Sequence, residues 1–136
     1  MNERFQEKIR NNQLAENQML NIAVTLQGNV IGDISVWYTN MKETVEIGYS
    51  FLHSSGGRGY ATEAVQAVIM WLFKEKKIHR IQTNLDARNA SSAKLCERVG
   101  MRKEANFIQD FWNKGEWTDS LVYGMLKSDL DRVEEE

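Results

Sequence analysis

The chain has 136 residues, 42% of them hydrophobic, and a net charge of −2; this predicts one domain over residues 1–136 and gives no cationic field for nucleic acid or anionic membrane. The lone cysteine, Cys96, excludes an intrachain disulfide, and with only His53 and His79 beside it there is no zinc-like cluster, so no metal site is expected. No apolar run approaches the ~20 residues of a membrane span and the polar Met1–Arg10 is unlike a signal sequence, so a cytoplasmic protein is expected.

From Asn2 to about Gln13, helix-friendly composition with Phe5 and Ile9 on one side predicts a short opening helix. Alternating Ile22, Val24 and Leu26, followed by a β-rich run from Val30 to Tyr38, predict a hairpin turning at Gly28 and Asn29. A further strand is expected from about Thr44 to Leu52. Gly56, Gly57 and Gly59 then break the pattern, and a helix follows in which Ala64, Val65, Val68, Ile69, Leu72 and Phe73 recur at three- and four-residue spacing. Lys74, Lys76 and Lys77 close it, where cations suit the dipole. Arg80 to Leu85 reads as a buried strand, and Asn89 opens a helix that runs to Val99 and stops at Gly100. Met101 to Lys127 holds two aromatic-rich strands around Asn113-Lys114-Gly115-Glu116, and the tail Glu134 to Glu136 is expected to fray. With no repeat or linker, the elements form one mixed α/β layer structure.

The segment Gly56-Gly57-Arg58-Gly59-Tyr60-Ala61-Thr62-Glu63-Ala64 carries most of the chemistry. Glycines let successive N–H groups converge, and the first helical turn adds unpaired donors and the positive end of the dipole, so a diphosphate fits. No Gly-Lys-Ser/Thr closes the loop and it lacks G-x-G-x-x-G, which disfavours both common nucleotide-binding loops. Taken alone, the glycines also suit an ordinary strand-to-helix turn.

Three separated motifs, Glu46-Ile47-Gly48-Tyr49, Gly57-Arg58-Gly59-Tyr60-Ala61-Thr62-Glu63-Ala64 and Asn89-Ala90-Ser91-Ser92 with Leu95, Glu97 and Gly100-Met101, resemble the GCN5-related N-acetyltransferases (GNAT). Within them the chain is most similar to the branch that acetylates ribosomal-protein N-termini (RimJ/RimL-like). The hairpin with Phe111, Gly115, Trp117 and Asp119 is similar to that branch's C-terminal pattern. The resemblance spans about Asn21 to Lys127. It implies a mixed, mostly antiparallel twisted sheet flanked by helices, here without the usual first strand and helix, and an acetyl-CoA-dependent transfer to a primary amine by direct attack.

In such a protein, backbone N–H groups of Gly57, Arg58, Gly59, Tyr60 and Ala61, with Thr62 beside them, would hold the pyrophosphate of acetyl-CoA. Backbone groups near Phe51, Leu52 and His53 would pair with pantetheine in the gap between two splayed strands, and a strand amide there would stabilise the oxyanion. By the same resemblance Asn89 and Ser92 face the cofactor, with Ser92 as a proton donor to the leaving thiolate; as residues alone they suit helix capping. Many family members carry a tyrosine acid where this chain has Cys96, so that role has no heir at position 96. Glu46 is the first candidate for the general base, with Asp110 and Tyr123 behind it. An α-amine of pKa near ~8 needs less help from such a base than a lysine-like amine near ~10.4.

The expected acceptor is a protein N-terminus, with a polyamine or other small amine as the alternative, and the rival from another class is a catalytically silent acyl-CoA-binding module. The missing first strand would leave the first hairpin with a bare edge, which predicts a homo-oligomer or cover by the N-terminal segment.

Overall fold

The computed structural model describes residues 6–9, 18–52 and 59–135. Seven strands, β1 (Gln6–Ile9), β2 (Met19–Leu26), β3 (Asn29–Tyr38), β4 (Thr44–Phe51), β5 (Arg80–Asp86), β6 (Arg102–Asn113) and β7 (Glu116–Leu126), form one sheet in the order β1-β2-β3-β4-β5-β7-β6. Three helices, α1 (Tyr60–Lys74), α2 (Ala90–Arg98) and α3 (Lys127–Glu135), complete it. Every neighbouring pair of strands is antiparallel except β4 with β5. This is the mixed, mostly antiparallel sheet with helices that the motifs imply.

Two tight turns set the hairpin registers. Gln27 and Gly28 lie at φ 51° and 83°, and Lys114 and Gly115 at φ 50° and 82°. Two consecutive left-handed residues are what a two-residue turn between right-twisted strands requires. The first turn therefore sits one residue earlier than Gly28-Asn29, and Asn29 already belongs to β3.

The apolar alternation of β2 to β5 buries Ile22, Val24, Ile34, Val36, Val45, Ile47 and Ile81. Against them α1 sets Val65, Val68, Ile69, Leu72 and Phe73, the stripe its spacing predicts. Each such side chain, once fully buried, contributes about 1.5–3 kcal/mol. After α1, Lys77 at φ 57° reverses the chain so that the Ile78 N–H returns to the Leu72 carbonyl, and Ile78 joins the core. Across α2, Asn89 caps the first turn, accepting the Ser92 N–H at 3.1 Å. Gly100 at φ 101° ends α2, with the Met101 N–H donating to Cys96 O.

Two expectations fail at the ends of the chain. The opening helix is not formed: Gln6–Ile9 is a strand, paired antiparallel with Ile22–Thr25, so part of the β2 edge expected to be bare is covered. The rest of the expected helix lies outside the described residues. At the other end Glu134 and Glu135, expected to fray, close α3, while Glu136 lies outside the described residues; α3 has an anchor, since Leu130 is buried and Asp129 accepts the Leu126 N–H and pairs with Arg102.

Candidate active site

Parallel pairing of β4 with β5 lasts for only three residues, Thr44 to Glu46 against Arg80 to Gln82. Beyond Glu46 the strands part: β4 continues beside β3 to Phe51, and β5 continues beside β7 to Asp86. The hydrogen-bond parity shows what this exposes. Thr44 and Leu52 bond to the β3 side, through Thr39 N–H to Thr44 O and Leu52 N–H to Ile31 O. In an antiparallel ladder the alternate residues, Ile47, Tyr49 and Phe51, then turn their N–H and C=O toward β5. The Thr83 hydroxyl donates to Ile47 O at 2.8 Å where the gap opens, and farther along no described strand pairs with Tyr49 or Phe51 on that side.

A cleft of about 430 Å³ starts from this wedge, lined by Tyr49, Ser50, Phe51 and Leu52 from β4 and its end. Gly59, Tyr60, Ala61 and Thr62 line it from the start of α1, and Asn89, Ser91, Ser92, Leu95 and Arg98 from α2. Gly59 sits at φ 77° at the N-terminal cap of α1 with no side-chain cap, so the main-chain donors of the first turn serve the cleft end of the helix. Arg98 donates from Nε to the Thr62 hydroxyl at 3.1 Å, joining α2 to the first turn of α1 and adding a fixed cation to the same wall. An unpaired strand edge and an electropositive helix start on one cleft suit a ligand with an amide-bearing arm and a diphosphate.

Of the residues singled out from the sequence, the fold brings Phe51, Leu52, Gly59, Tyr60, Ala61, Thr62, Asn89 and Ser92 onto this one cleft. His53, Gly57 and Arg58 lie outside the described residues. Glu46 stands at the last β4–β5 pair, where the wedge opens, and accepts a hydrogen bond from Gln82 Nε2 at 3.2 Å; it is outside the cleft lining. Asp110 is exposed on β6. Tyr123 is fully buried and donates to Glu97 at 2.8 Å. Burial first, then that bond, pushes its phenol up to about 12, which makes it a poor base.

Sequence reading passed over Tyr49, Ser91, Leu95 and Arg98 as lining groups. Tyr49 stood inside a quoted motif, but its partners on α2 are 43 and 47 residues away, a separation that no local pattern reveals. Its phenol is raised above the ordinary value chiefly by burial, and the buried Cys96 thiol is likewise raised by burial. Cys96 is therefore a neutral thiol at physiological pH.

The family model described as "Acetyltransferase (GNAT) domain" matches residues 1–102. The chain belongs to the GNAT acetyltransferase family. This GNAT chain is 33% identical over 100 residues to the uncharacterized N-acetyltransferase YnaD of Bacillus subtilis, covering 74% of this chain and 59% of that protein. It is 30% identical over 83 residues to the ribosomal-protein-uS5-alanine N-acetyltransferase of Escherichia coli, covering 61% of this chain and 43% of the relative. Mycobacterium smegmatis RimJ, solved in complex with CoA-disulfide, superposes with a TM-score of 0.76 at 26% identity over 83% of this chain and 55% of the other. The GNAT chain thus spans less than two thirds of the length of each. Among the described residues no helix is long and apolar enough to cross a membrane, and no group of three metal-ligating side chains occurs.

Proposed function

We propose that the protein is an acetyl-CoA-dependent N-acetyltransferase that transfers the acetyl group to a primary amine by direct attack within a ternary complex. The observation that carries this reading is the splay of β4 from β5 beside the N-terminus of α1. Tyr49 and Phe51 offer main-chain groups to an extended pantetheine arm, and the amides from Gly59 onward take the pyrophosphate. The residues present fit this cosubstrate in donor type. The relative that bears a uS5-alanine name supports a protein N-terminus as the acceptor, ahead of a polyamine or other small amine.

In the proposed transfer the amine nitrogen bonds to the thioester carbonyl carbon as the carbon–sulfur bond breaks. The proton lost by nitrogen matches the one gained by sulfur, so no redox partner or covalent enzyme intermediate is required. Glu46, at the mouth of the wedge, relays the proton from nitrogen through water. The Ser92 hydroxyl, on the opposite wall, donates to the departing sulfur. A second copy of the chain belongs to the same reading, since β6 is an outer strand with Phe107, Ile108, Phe111 and Trp112 exposed.

Calorimetric titration with acetyl-CoA and with pantetheine tests the site. Acetyl-CoA binding much tighter than pantetheine is expected, and equal affinities would show that the α1 end of the cleft takes no phosphate.

A further inference from the structure

The two walls of the cleft are tied together by a contact that the transfer as described does not use. The Tyr49 hydroxyl, from β4, donates to the backbone carbonyl of Ser92 on α2 at 3.0 Å and lies 3.1 Å from Cys96 Sγ. A phenol has one hydrogen, and the carbonyl can only accept, so in the second contact the thiol is the donor. The result is a closed chain from thiol to phenol to carbonyl, with every hydrogen used. The raised phenol and thiol both keep their protons at neutral pH, so the chain persists across the physiological range.

Ser92 is thereby held at both ends of its main chain. Its N–H is taken by the Asn89 cap at 3.1 Å, and its C=O by Tyr49, while its side chain stays on the cleft wall. A helix fixes the geometry of its own turn, but nothing within a helix fixes its distance from a strand. Tyr49 supplies that distance, since the same residue presents its main chain to the wedge and its hydroxyl to α2. Cys96, buried one turn after Ser92, is small enough to leave the phenol its place.

We propose that Tyr49 is a positioning residue: its hydroxyl clamps the first turn of α2 to the free edge of β4 and so sets the Ser92 hydroxyl against the reacting sulfur. The proposal rests on the acetyl-transfer reading and adds to it a residue that acts through another.

The test combines Tyr49→Phe, Ser92→Ala and the double variant, assayed for thiol release from acetyl-CoA with an alanine-terminated peptide and with spermidine. Calorimetry gives the Kd of acetyl-CoA, and hydrogen exchange reads the first turn of α2. Tyr49→Phe is expected to lower kcat roughly 10- to 100-fold, the scale of a misplaced catalytic group, with the Kd of acetyl-CoA within about twofold of wild type. The double variant is expected to be no slower than Ser92→Ala alone, because residues acting as a unit are not additive. Additive losses, or a fully active Tyr49→Phe, would overturn the proposal while leaving the transferase reading intact. If the wild type binds acetyl-CoA but releases no thiol with either amine, the transferase reading fails, and exchange alone judges the clamp: faster exchange at Ser92 and Ala93 in Tyr49→Phe supports it, and unchanged exchange overturns it.

Discussion

Gly32 of β3 pairs directly with Phe51 of β4, and the Phe51 ring uses the space a side chain at position 32 would need. A Cβ there would lie 2.3 Å from the ring and 2.6 Å from the Ser50 carbonyl, which belongs to the backbone and yields little. Gly32→Ala is therefore expected to cost roughly 1–3 kcal/mol of stability by overpacking. Because Phe51 lines the cleft, it should also weaken acetyl-CoA binding; a variant with wild-type Tm and affinity would show that the ring is not held against Gly32. Gly59 differs, since a Cβ there meets nothing within 4 Å among the described residues. A substitution at Gly59 acts through the left-handed φ of 77° rather than through crowding. Glu46→Gln keeps the hydrogen bond to Gln82 possible but removes the proposed base, so kcat should fall roughly 10²–10⁴-fold with the affinity for acetyl-CoA unchanged. A fully active Glu46→Gln would move the search to Asp110, since Tyr123 is sealed against Glu97. At this scale the sequence showed what is local: the turn at Gly59 and the Asn89 cap. It hid Tyr49 with Cys96 and Arg98 with Thr62, whose partners meet only when α1 and α2 are brought to β4.

Among elements, α2 joins cap and cleft most closely. Asn89 Oδ1 accepts both the Ser92 N–H and the Ser91 hydroxyl at 3.1 Å, and Asn89 also lines the cleft. Losing a cap costs about 0.5–2 kcal/mol. Asn89→Ala should lower Tm accordingly and also weaken acetyl-CoA binding, measured well below the melting transition; lowered Tm with unchanged affinity would reduce Asn89 to a cap. Strong periodicity made α1, α2 and the central strands legible, and most of their ends fall within one or two residues of expectation; α1 instead stops at Lys74, so Lys76 and Lys77 lie beyond its last turn, and β2 begins at Met19, three residues before Ile22. The terminal elements were not legible, for a physical reason. Phe5 and Ile9 sit four apart as on a helix face, but Gln6–Ile9 is decided by the ladder it forms with β2, and pairing of this kind overrides local propensity. Highly charged α3 carries little apolar pattern, and its anchors are Leu130 and the bonds of Asp129 to the end of β7 and to β6.

Over the whole molecule, surface ion pairs tie the far side of the sheet together. Arg80 of β5 bonds Glu104 of β6 across Gly124 of β7, where an added Cβ would collide with both side chains. Arg88 holds Asp86 down to about 2 through hydrogen bonds. Glu104 is lowered chiefly by its hydrogen bond to Arg80. Asp129 is lowered although burial pushes the other way, through the Leu126 N–H and Arg102. A carboxylate whose folded value is depressed binds fewer protons in the folded state than in the unfolded one. Its contribution is complete above the unfolded value near ~4 and is lost as pH falls through the folded value. Tm is therefore expected to drop as the pH is lowered from about 4 toward 2, and a flat profile there would contradict these pairings. The proposed reading sets a second copy on the outer strand β6, and light scattering that finds only monomer at high concentration would remove that part of it.

The direct test of the proposed function is thiol release from acetyl-CoA by the wild-type chain, followed while an alanine-terminated peptide and spermidine are offered in turn. Release that depends on one of these amines, saturates in both substrates and matches the acetylated product one for one is the predicted result. Tight binding of acetyl-CoA with no amine-dependent release would contradict the account and leave an acyl-CoA-binding module in its place.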